Sequence, residues 1–319
     1  MILTVTPNPS LDRTYEVAAL VRGEVLRAAH DRVDPGGKGV NVSRAVAAAG
    51  GATTAVLPLG GAAGVLLGEL LTAEGVDVTA VTVAGPTRSN VAIVESDGTL
   101  TKINGAGPAL GPEESELLLA TVASGARSAS WVAGCGSLPP GLPADWYADL
   151  IARARSAGAR VAVDTSGPAL PAALGARPDL VKPNLAELAE TTGRPLVTLG
   201  DAVAAAHALR AAGAGAVLAS LGAAGQLLAD ATGTYYGTAR AEAVRSDVGA
   251  GDAALAGFLT AGGAGPTALA AALAHGAAAV RLPGSAMPTP DDLHPDRVHL
   301  TQDLPLDLPL APADGHRTR

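Results

Sequence analysis

Short runs rich in β-branched residues recur along this chain, and most of them are followed by an Ala/Leu-rich stretch of helical length. Residues 2–6, 54–59, 131–133, 160–164, 179–182 and 216–220 read as strands, and 38–49, 65–73, 144–157 and 201–212 as helices. Parallel strands need a crossover of a dozen or more residues, usually a helix. The alternation therefore predicts an α/β fold whose mostly parallel central sheet carries helices on both faces. At 319 residues the chain can bury a large core, and with aromatics at 2% that core must be built from Ala, Val and Leu.

Two regions break the alternation. Segments 90–96 and 99–104 flank Asp97-Gly98, a hairpin signal because both turn residues tolerate positive φ. Segments 14–17 and 25–28 also read as short strands with no helix between them. Together they predict a small β-sheet inserted into the α/β domain as a lid, formed from about 13–33 and 87–105. The main domain is expected over 1–290. After Leu282-Pro283-Gly284 the chain turns rich in Pro and Asp, and 291–319 is expected to be a loosely attached tail.

Composition narrows the classes of partner. A net charge of −8 disfavours nucleic acid, which selects a basic face. An anionic ligand must then be held by a few placed cations and backbone N–H groups. The single cysteine, Cys135, excludes an intrachain disulfide framework and fits a reducing cytoplasm. The start, Met1-Ile2-Leu3-Thr4-Val5, has no basic region and meets Pro7, so it does not read as a signal peptide. The Ala-rich runs at 202–216 and 267–280 carry His207, Arg210 and His275 and read as buried helices, with no membrane partner expected. Of 22 basic residues only Lys38, Lys102 and Lys182 are lysine, and each falls in a turn marked by Gly, Asn or Pro.

Four turns could carry chemistry. In Pro35-Gly36-Gly37-Lys38-Gly39-Val40-Asn41, paired glycines allow close backbone approach and a helix N-terminus follows, with Lys38 as a full cation. The spacing is not that of a Walker loop, and a plain glycine turn capping a helix would look the same. In Ser246-Asp247-Val248-Gly249-Ala250-Gly251-Asp252, the N–H groups of Gly249, Ala250 and Gly251 would form an anion hole in front of a helix. Asp252 in the first turn could take a proton from an attacking hydroxyl, or simply complement the helix dipole. In Lys182-Pro183-Asn184-Leu185-Ala186-Glu187, Asn184 and Glu187 share a helix face and could hold Mg²⁺ through its water shell, although Asn is more often a helix cap there. The fourth turn, Ser220-Leu221-Gly222-Ala223-Ala224-Gly225, could lie beneath a nucleotide or be an ordinary strand-turn-strand.

Further candidates surround these turns. Asp12, in Asn8-Pro9-Ser10-Leu11-Asp12, stands where ligands of open α/β sheets bind and suits paired bonds to sugar hydroxyls, or is a solvated turn aspartate. Arg88 and Asn90 enter the expected lid and Lys102 and Asn104 leave it. A guanidinium suits a phosphate dianion, while charged hairpin edges also discourage unwanted pairing.

Taken together, the chain resembles the ribokinase/PfkB carbohydrate kinases from about residue 1 to 290. The motifs that carry the resemblance occur in the family's order: Asn8-Pro9-Ser10-Leu11-Asp12, Gly36-Gly37-Lys38-Gly39-Val40-Asn41-Val42, Gly136-Ser137-Leu138-Pro139-Pro140-Gly141, Asp164-Thr165-Ser166-Gly167, Lys182-Pro183-Asn184 with Glu187, Ser220-Leu221-Gly222 and Val248-Gly249-Ala250-Gly251-Asp252. Thr87-Arg88-Ser89-Asn90 and Ile103-Asn104-Gly105-Ala106-Gly107-Pro108 are most similar to the 1-phosphofructokinase branch. The resemblance implies a ribokinase-like three-layer fold and transfer of a phosphoryl group from ATP, with Mg²⁺, to the 6-hydroxyl of fructose 1-phosphate. Tagatose 6-phosphate and fructose 6-phosphate are alternative acceptors, and a non-catalytic sugar-phosphate sensor is a third reading.

The resemblance makes Asp252 the base and Gly249–Gly251 the anion hole. Asp12, Gly36, Gly37, Asn41 and Ser137 would bind the sugar and Lys38 and Arg88 its phosphate, with Asn90, Lys102 and Asn104 alongside. Lys182, Asn184, Ser220, Gly222 and Gly225 would serve ATP, and Asn184, Glu187 and Asp164 the magnesium, largely through water. Pairing of two lids implies a homodimer. Two residues depart from the family's pattern: Asp247 stands where Thr is common, and Cys135 where Ser is common.

Overall fold

The computed structural model describes residues 1–241 and 244–310. In chain order the main elements are β1 (Ile2–Val5), β2 (Ser10–Val17), β3 (His30–Gly36), α1 (Lys38–Ala48), β4 (Thr53–Leu59), α2 (Gly61–Ala73), β5 (Asp77–Thr82), β6 (Arg88–Glu95) and β7 (Leu100–Asn104). They continue with α3 (Pro112–Ala126), β8 (Trp131–Cys135), α4 (Trp146–Ser156), β9 (Arg160–Asp164), α5 (Ala169–Gly175), β10 (Leu180–Val181), α6 (Leu185–Thr192) and α7 (Leu199–Ala211). The last are β11 (Ala216–Ser220), β12 (Gln226–Asp230), β13 (Gly233–Ala239), α8 (Ala250–Thr260), α9 (Gly265–Ala279) and β14 (Val298–Thr301).

Ten strands form the central sheet, in the order β14-β13-β12-β11-β10-β9-β8-β1-β4-β5. From β5 to β11 the pairs are parallel, with Ile2 against Thr53 on one side of β1 and against Trp131 on the other. The β12, β13 and β14 pairings are antiparallel. Successive side chains of a strand point to opposite faces, and the core divides accordingly. Leu3, Val5 and Val132 join Leu118, Trp146, Leu150 and Leu209 in one cluster. Ile2, Trp131, Ala133 and Cys135 join Val42, Leu255, Phe258 and Leu269 in another. Thus α3, α4 and α7 cover one face and α1, α8 and α9 the other, giving three layers. Small side chains make this possible: α8 and α9 bring long runs of buried Ala together, with Phe258 as the one large aromatic in the second layer's helices. No helix among the described residues is long and apolar enough to cross a membrane.

The smaller sheet has four strands in the order β3-β2-β6-β7, with β2 and β6 parallel. Its β6–β7 hairpin turns where Asp97-Gly98 was expected to turn it, with Gly98 at φ 88°. The other predicted strand is displaced. Residues 25–28 carry no strand; instead His30–Gly36 pairs with β2. That strand, His-Asp-Arg-Val-Asp-Pro-Gly, is a largely exposed edge, so it has no alternating apolar pattern for sequence reasoning to find.

The C-terminal segment also differs from expectation as far as residue 310. Val298–Thr301 extends the central sheet beside β13, and Thr198 bridges to Pro309 while Leu199 N bonds Leu308 O. Leu310 is buried. The anchors are single leucines spaced between prolines, which composition alone reads as a tail. Residues 311–319, part of that expected tail, lie outside the described residues.

Candidate active site

Strands β1, β8, β9, β10 and β11 all run parallel, so their carboxyl ends share one edge of the sheet. Asn8, Ser137, Asp164, Lys182 and Ser220 stand at or just beyond those ends. Two helices bring their N-termini to the same edge, because Asn41 in the first turn of α1 bonds Asp252 in the first turn of α8. Both helices begin on a glycine with positive φ, Gly37 at 120° and Gly249 at 79°, and neither has a side-chain cap. Apart from Ala250 N, which makes a long 3.4 Å bond to the Asp247 carbonyl, the N–H groups of those first turns therefore remain available to an anion. By contrast, α6 and α7 cap themselves with Asn184 and Thr198.

Two buried carboxylates lie here in different surroundings. Asp164, fully buried, sits between two ammonium groups, with Lys38 Nζ 2.7 Å from Oδ1 and Lys182 Nζ 2.9 Å from Oδ2. Burial would raise its pKa, but Lys182 and Lys38 outweigh burial and hold the group below the ordinary carboxylate range. Asp252, 7% exposed, has no cation among the described residues bonded to it; Asn41 Nδ2 donates to its Oδ2 at 2.8 Å. Burial first, and the charge of Asp164 second, push its pKa up to about 7, against the pull of Lys182, the Asn41 bond and Lys38. One carboxylate is thus fixed as an anion and the other is left able to exchange a proton near neutral pH. Such a separation is what general acid–base chemistry requires.

Lys38 is not left free for a ligand. Beyond Asp164 it reaches Glu187 Oε1 at 3.4 Å, and despite burial the charges of Asp164, Glu187 and Asp252 raise its pKa. Glu187 in turn accepts from Asn184 N at 2.9 Å while Asn184 Oδ1 accepts from Glu187 N at 2.8 Å, a reciprocal cap on α6. These contacts bear on magnesium. Asp164 is already paired with two lysines, the Asn184 and Glu187 oxygens close their own helix, and no group of three or more His, Cys, Asp or Glu among the described residues has metal-holding geometry. The residues do not make an inner-sphere cage. They suit a magnesium that keeps its waters and arrives on phosphate oxygens.

On the side of the smaller sheet, Asp12 faces the diglycine: a Cβ on Gly36 would lie 2.4 Å from the Asp12 carboxyl. Asn90, directly across the strand pair from Asp12, donates to Asp12 Oδ1 at 2.8 Å and to Ser10 Oγ at 3.0 Å. Arg88 donates to the carbonyls of Gly105 at 2.7 Å and Asn8 at 3.0 Å, and its Nε is buried without a hydrogen-bond partner among the described residues. Its guanidinium therefore clamps the Asn8 and Gly105 loops together. Lys102 and Asn104 are exposed on the edge strand β7, and Ser137 is exposed just past β8.

On the other side, Ser220 bridges to Asn184, which brings the fourth glycine turn beside the second candidate helix cap. Gly222 and Gly225 both take positive φ, and a Cβ at Gly225 would strike the Gly237 carbonyl at 2.2 Å. Asp247 is exposed.

Two residues that sequence reasoning passed over also touch this constellation. Arg44 donates to Asn41 Oδ1 at 3.3 Å, and the Met287 Cε would lie 2.9 Å from a Cβ placed on Gly249. Arg44 had a readable signal, since it follows Asn41 by three residues on one helix face. Met287 had none, because its contact is set by the path of the chain after α9.

The family model for "pfkB family carbohydrate kinase" matches residues 5–292. A 1-phosphofructokinase of Rhodobacter capsulatus is 42% identical over 81% of this chain and 82% of its own length. The crystal structure of phosphofructokinase-2 from Escherichia coli in complex with fructose-6-phosphate superposes with a TM-score of 0.84 at 33% identity, covering 91% of this chain and 96% of that one. Arabidopsis thaliana ribokinase, complexed with ribose and ATP, superposes at 0.73 with 25% identity over the same shares of the two chains, 91% and 96%.

Proposed function

Because this chain belongs to the pfkB family of carbohydrate kinases, we propose that it transfers the γ-phosphoryl group of ATP to the 6-hydroxyl of fructose 1-phosphate, giving fructose 1,6-bisphosphate and ADP. It is a phosphotransferase with an alcohol acceptor. The observation that carries the mechanism is the separation of the two buried carboxylates, Asp164 held anionic and Asp252 able to titrate near neutrality.

In this mechanism the acceptor lies between the diglycine and the smaller sheet, with Asp12, Asn41 and Asn90 offering bonds to its hydroxyls and Gly36 and Gly37 allowing close approach. The acceptor's 6-hydroxyl proton passes to Asp252 as the 6-oxygen bonds the γ-phosphorus. The bond from that phosphorus to the β,γ-bridging oxygen breaks, and its electron pair leaves with ADP. The N–H groups of Gly249 and Gly251, joined by that of Ala250 once it gives up its long 3.4 Å bond to the Asp247 carbonyl, receive the charge that builds on the transferring group. Ser220, Gly222 and Gly225 hold the nucleotide, and Lys182 lies close to Gly251, its Nζ 3.3 Å from where a Cβ would stand. Magnesium, when bound, neutralises phosphate charge, with Asn184 and Glu187 as outer-sphere partners.

Lys38 has a second task. Its ammonium is shared by Asp164 and Glu187, so an incoming phosphate must compete with two carboxylates, and it gains most by drawing Lys38 away from the more distant Glu187. Arg88 serves the acceptor as a clamp on its loops. The buried, unpaired Cys135 and the use of ATP fit the cytoplasm. Leu100 and Ile103, 44% and 60% exposed on β7, with Val25 at 87% in the loop before β3, give the smaller sheet an apolar surface suited to a homodimer.

A panel of acceptors measured by coupled ADP release tests the reading. Fructose 1-phosphate is expected to give the highest kcat/KM, ahead of fructose 6-phosphate, tagatose 6-phosphate and unphosphorylated sugars. Preference for fructose 6-phosphate, the sugar in the E. coli neighbour's structure, would move the assignment within the family, and preference for an unphosphorylated sugar would remove the phosphate role of Lys38.

A further inference from the structure

Arg44, 6% exposed, is as buried as the base it stands behind, and its guanidinium reaches four separate parts of the molecule, the longest contact being Nη1 to the Pro35 carbonyl at 3.5 Å. Nε and Nη2 form a fork on Glu74 at the end of α2, at 2.6 and 3.0 Å. Nη1 donates to the Ser285 carbonyl at 3.1 Å and its hydroxyl at 3.2 Å, and to Asn41 Oδ1 at 3.3 Å. The last contact decides which way the Asn41 amide faces. With Oδ1 held by a cation, Nδ2 is turned to Asp252, where it donates at 2.8 Å. An amide turned the other way would set its oxygen against the Asp252 carboxylate and its NH₂ against the guanidinium. The Ser285 segment is itself wedged into the site. Arg32 of β3 lies against Gly284, whose φ is 58°, and Met287 lies against Gly249, the N-cap of α8.

We infer that Arg44 is a positioning residue for the phosphoryl transfer, locking the Asn41 amide so that it donates to Asp252 and tying that donor to the 284–287 segment that abuts the anion hole. The inference rests on the assignment of Asp252 as base. Asp252 is faced by Asp164 from β9, Lys182 after β10, Lys38 and Asn41 from α1 and the neutral Cys135 thiol from β8; Asn41 is the group that hydrogen-bonds it, while Asp164 and the two lysines act by charge. Losing that donor removes support from the ionised base, and its titration moves to higher pH.

The test compares R44M, R44K and E74Q with the wild type, using fructose 1-phosphate and MgATP. E74Q removes the surface ion pair and leaves the bonds to Asn41 and Ser285. For R44M, kcat is expected to fall about 10- to 100-fold, KM for ATP to change much less, and the acidic limb of the pH–kcat profile to move to higher pH. E74Q is expected to keep the wild-type limb and kcat even where its Tm drops. R44K, which reaches Glu74 but lacks the second terminal nitrogen that joins Asn41 and Ser285, should hold its Tm and still show the shifted limb; it decides the matter should R44M not fold. A kcat within about twofold of wild type with an unmoved limb in the folded Arg44 variants overturns the proposal. So does an equal loss in E74Q, which would make Arg44 a stability residue alone. A ¹³C titration of the Asp252 carboxyl reads the same shift without turnover. A wild type inactive on every sugar phosphate would therefore sink the kinase reading, while the carboxyl titration still decides for or against Arg44.

Discussion

Replacing the base should make this protein more stable while it stops working. Asp252 is buried, its ordinary pKa of 3.8 is pushed up to about 7, and its hydrogen bond comes from the neutral Asn41 amide. Each tenfold change in proton affinity is worth about 1.4 kcal/mol, so the distance from 3.8 to about 7 sets a ceiling of about 4 kcal/mol on the cost of keeping this carboxylate ionised in the fold. Between those two pH values the folded chain holds a proton that the unfolded chain has released, so raising the pH favours unfolding. Above about pH 7 both forms are ionised and the penalty is complete. Asp252→Asn removes the charge and keeps an oxygen for the Asn41 amide. Its stability gain should therefore be about a quarter of its full size at pH 4.5, grow through pH 7 and level off above it, reaching about 2–4 kcal/mol. For a chain of 319 residues that is a Tm rise of about 5 °C. Calorimetric scans of both proteins from pH 4.5 to 8.5 measure it, and the other titrating groups cancel in the difference. An Asp252→Asn protein less stable than wild type at pH 8, or a gain that is the same at every pH, would refute the reasoning.

The same substitution should cut kcat at least about a thousandfold, read in a coupled ADP assay, with acceptor binding preserved in calorimetry. Lys182→Met leaves the fully buried Asp164 with Lys38 alone, so denaturant unfolding should show a loss of about 3 kcal/mol, and the pH–kcat limb of Asp252 should move up because Lys182 is the strongest influence holding it down. Gly36→Ala drives a methyl group into the Asp12 carboxyl; acceptor KM should rise about tenfold, a loss of about 1.4 kcal/mol, while the KM for ATP holds. Gly249→Ala forces a side chain to φ 79° against Met287, and kcat should fall with about 1–2 kcal/mol of strain in thermal unfolding.

The parallel sheet was legible because most of its strands are β-branched runs and several of its crossovers are long Ala/Leu-rich helices, although β5, α3 and the seven-residue α5 went unread. The β6–β7 hairpin was legible because Asp97-Gly98 has few alternatives. What failed to show were strands at the sheet edges. Strand β3 is polar because it is an exposed edge, and β14 is held by pairing with β13 and not by a core pattern of its own. In the site, residue types announced the chemistry but not the pairing. Lys38 reads as a free cation and is shared by two carboxylates; Arg88 reads as a phosphate ligand and grips two carbonyls. Asn184 and Glu187 read as a metal pair and cap each other. A sequence lists donors and acceptors, and which of them meet is decided by folding.

The smaller sheet has a property that follows from where its strands begin. β2 starts at Ser10, five residues after β1 ends at Val5, and carries Asp12; β3 ends on Gly36 of the diglycine; β6 opens with Arg88 and carries Asn90. The proposed acceptor contacts are thus part of the sheet itself and not of a scaffold that the sheet swings over. Occupancy of the acceptor position and the tilt of this sheet become a single thermodynamic variable. Whatever is attached to the sheet's outer surface, including a second subunit, then registers kinetically as a change in acceptor KM, with no separate relay needed to carry the message.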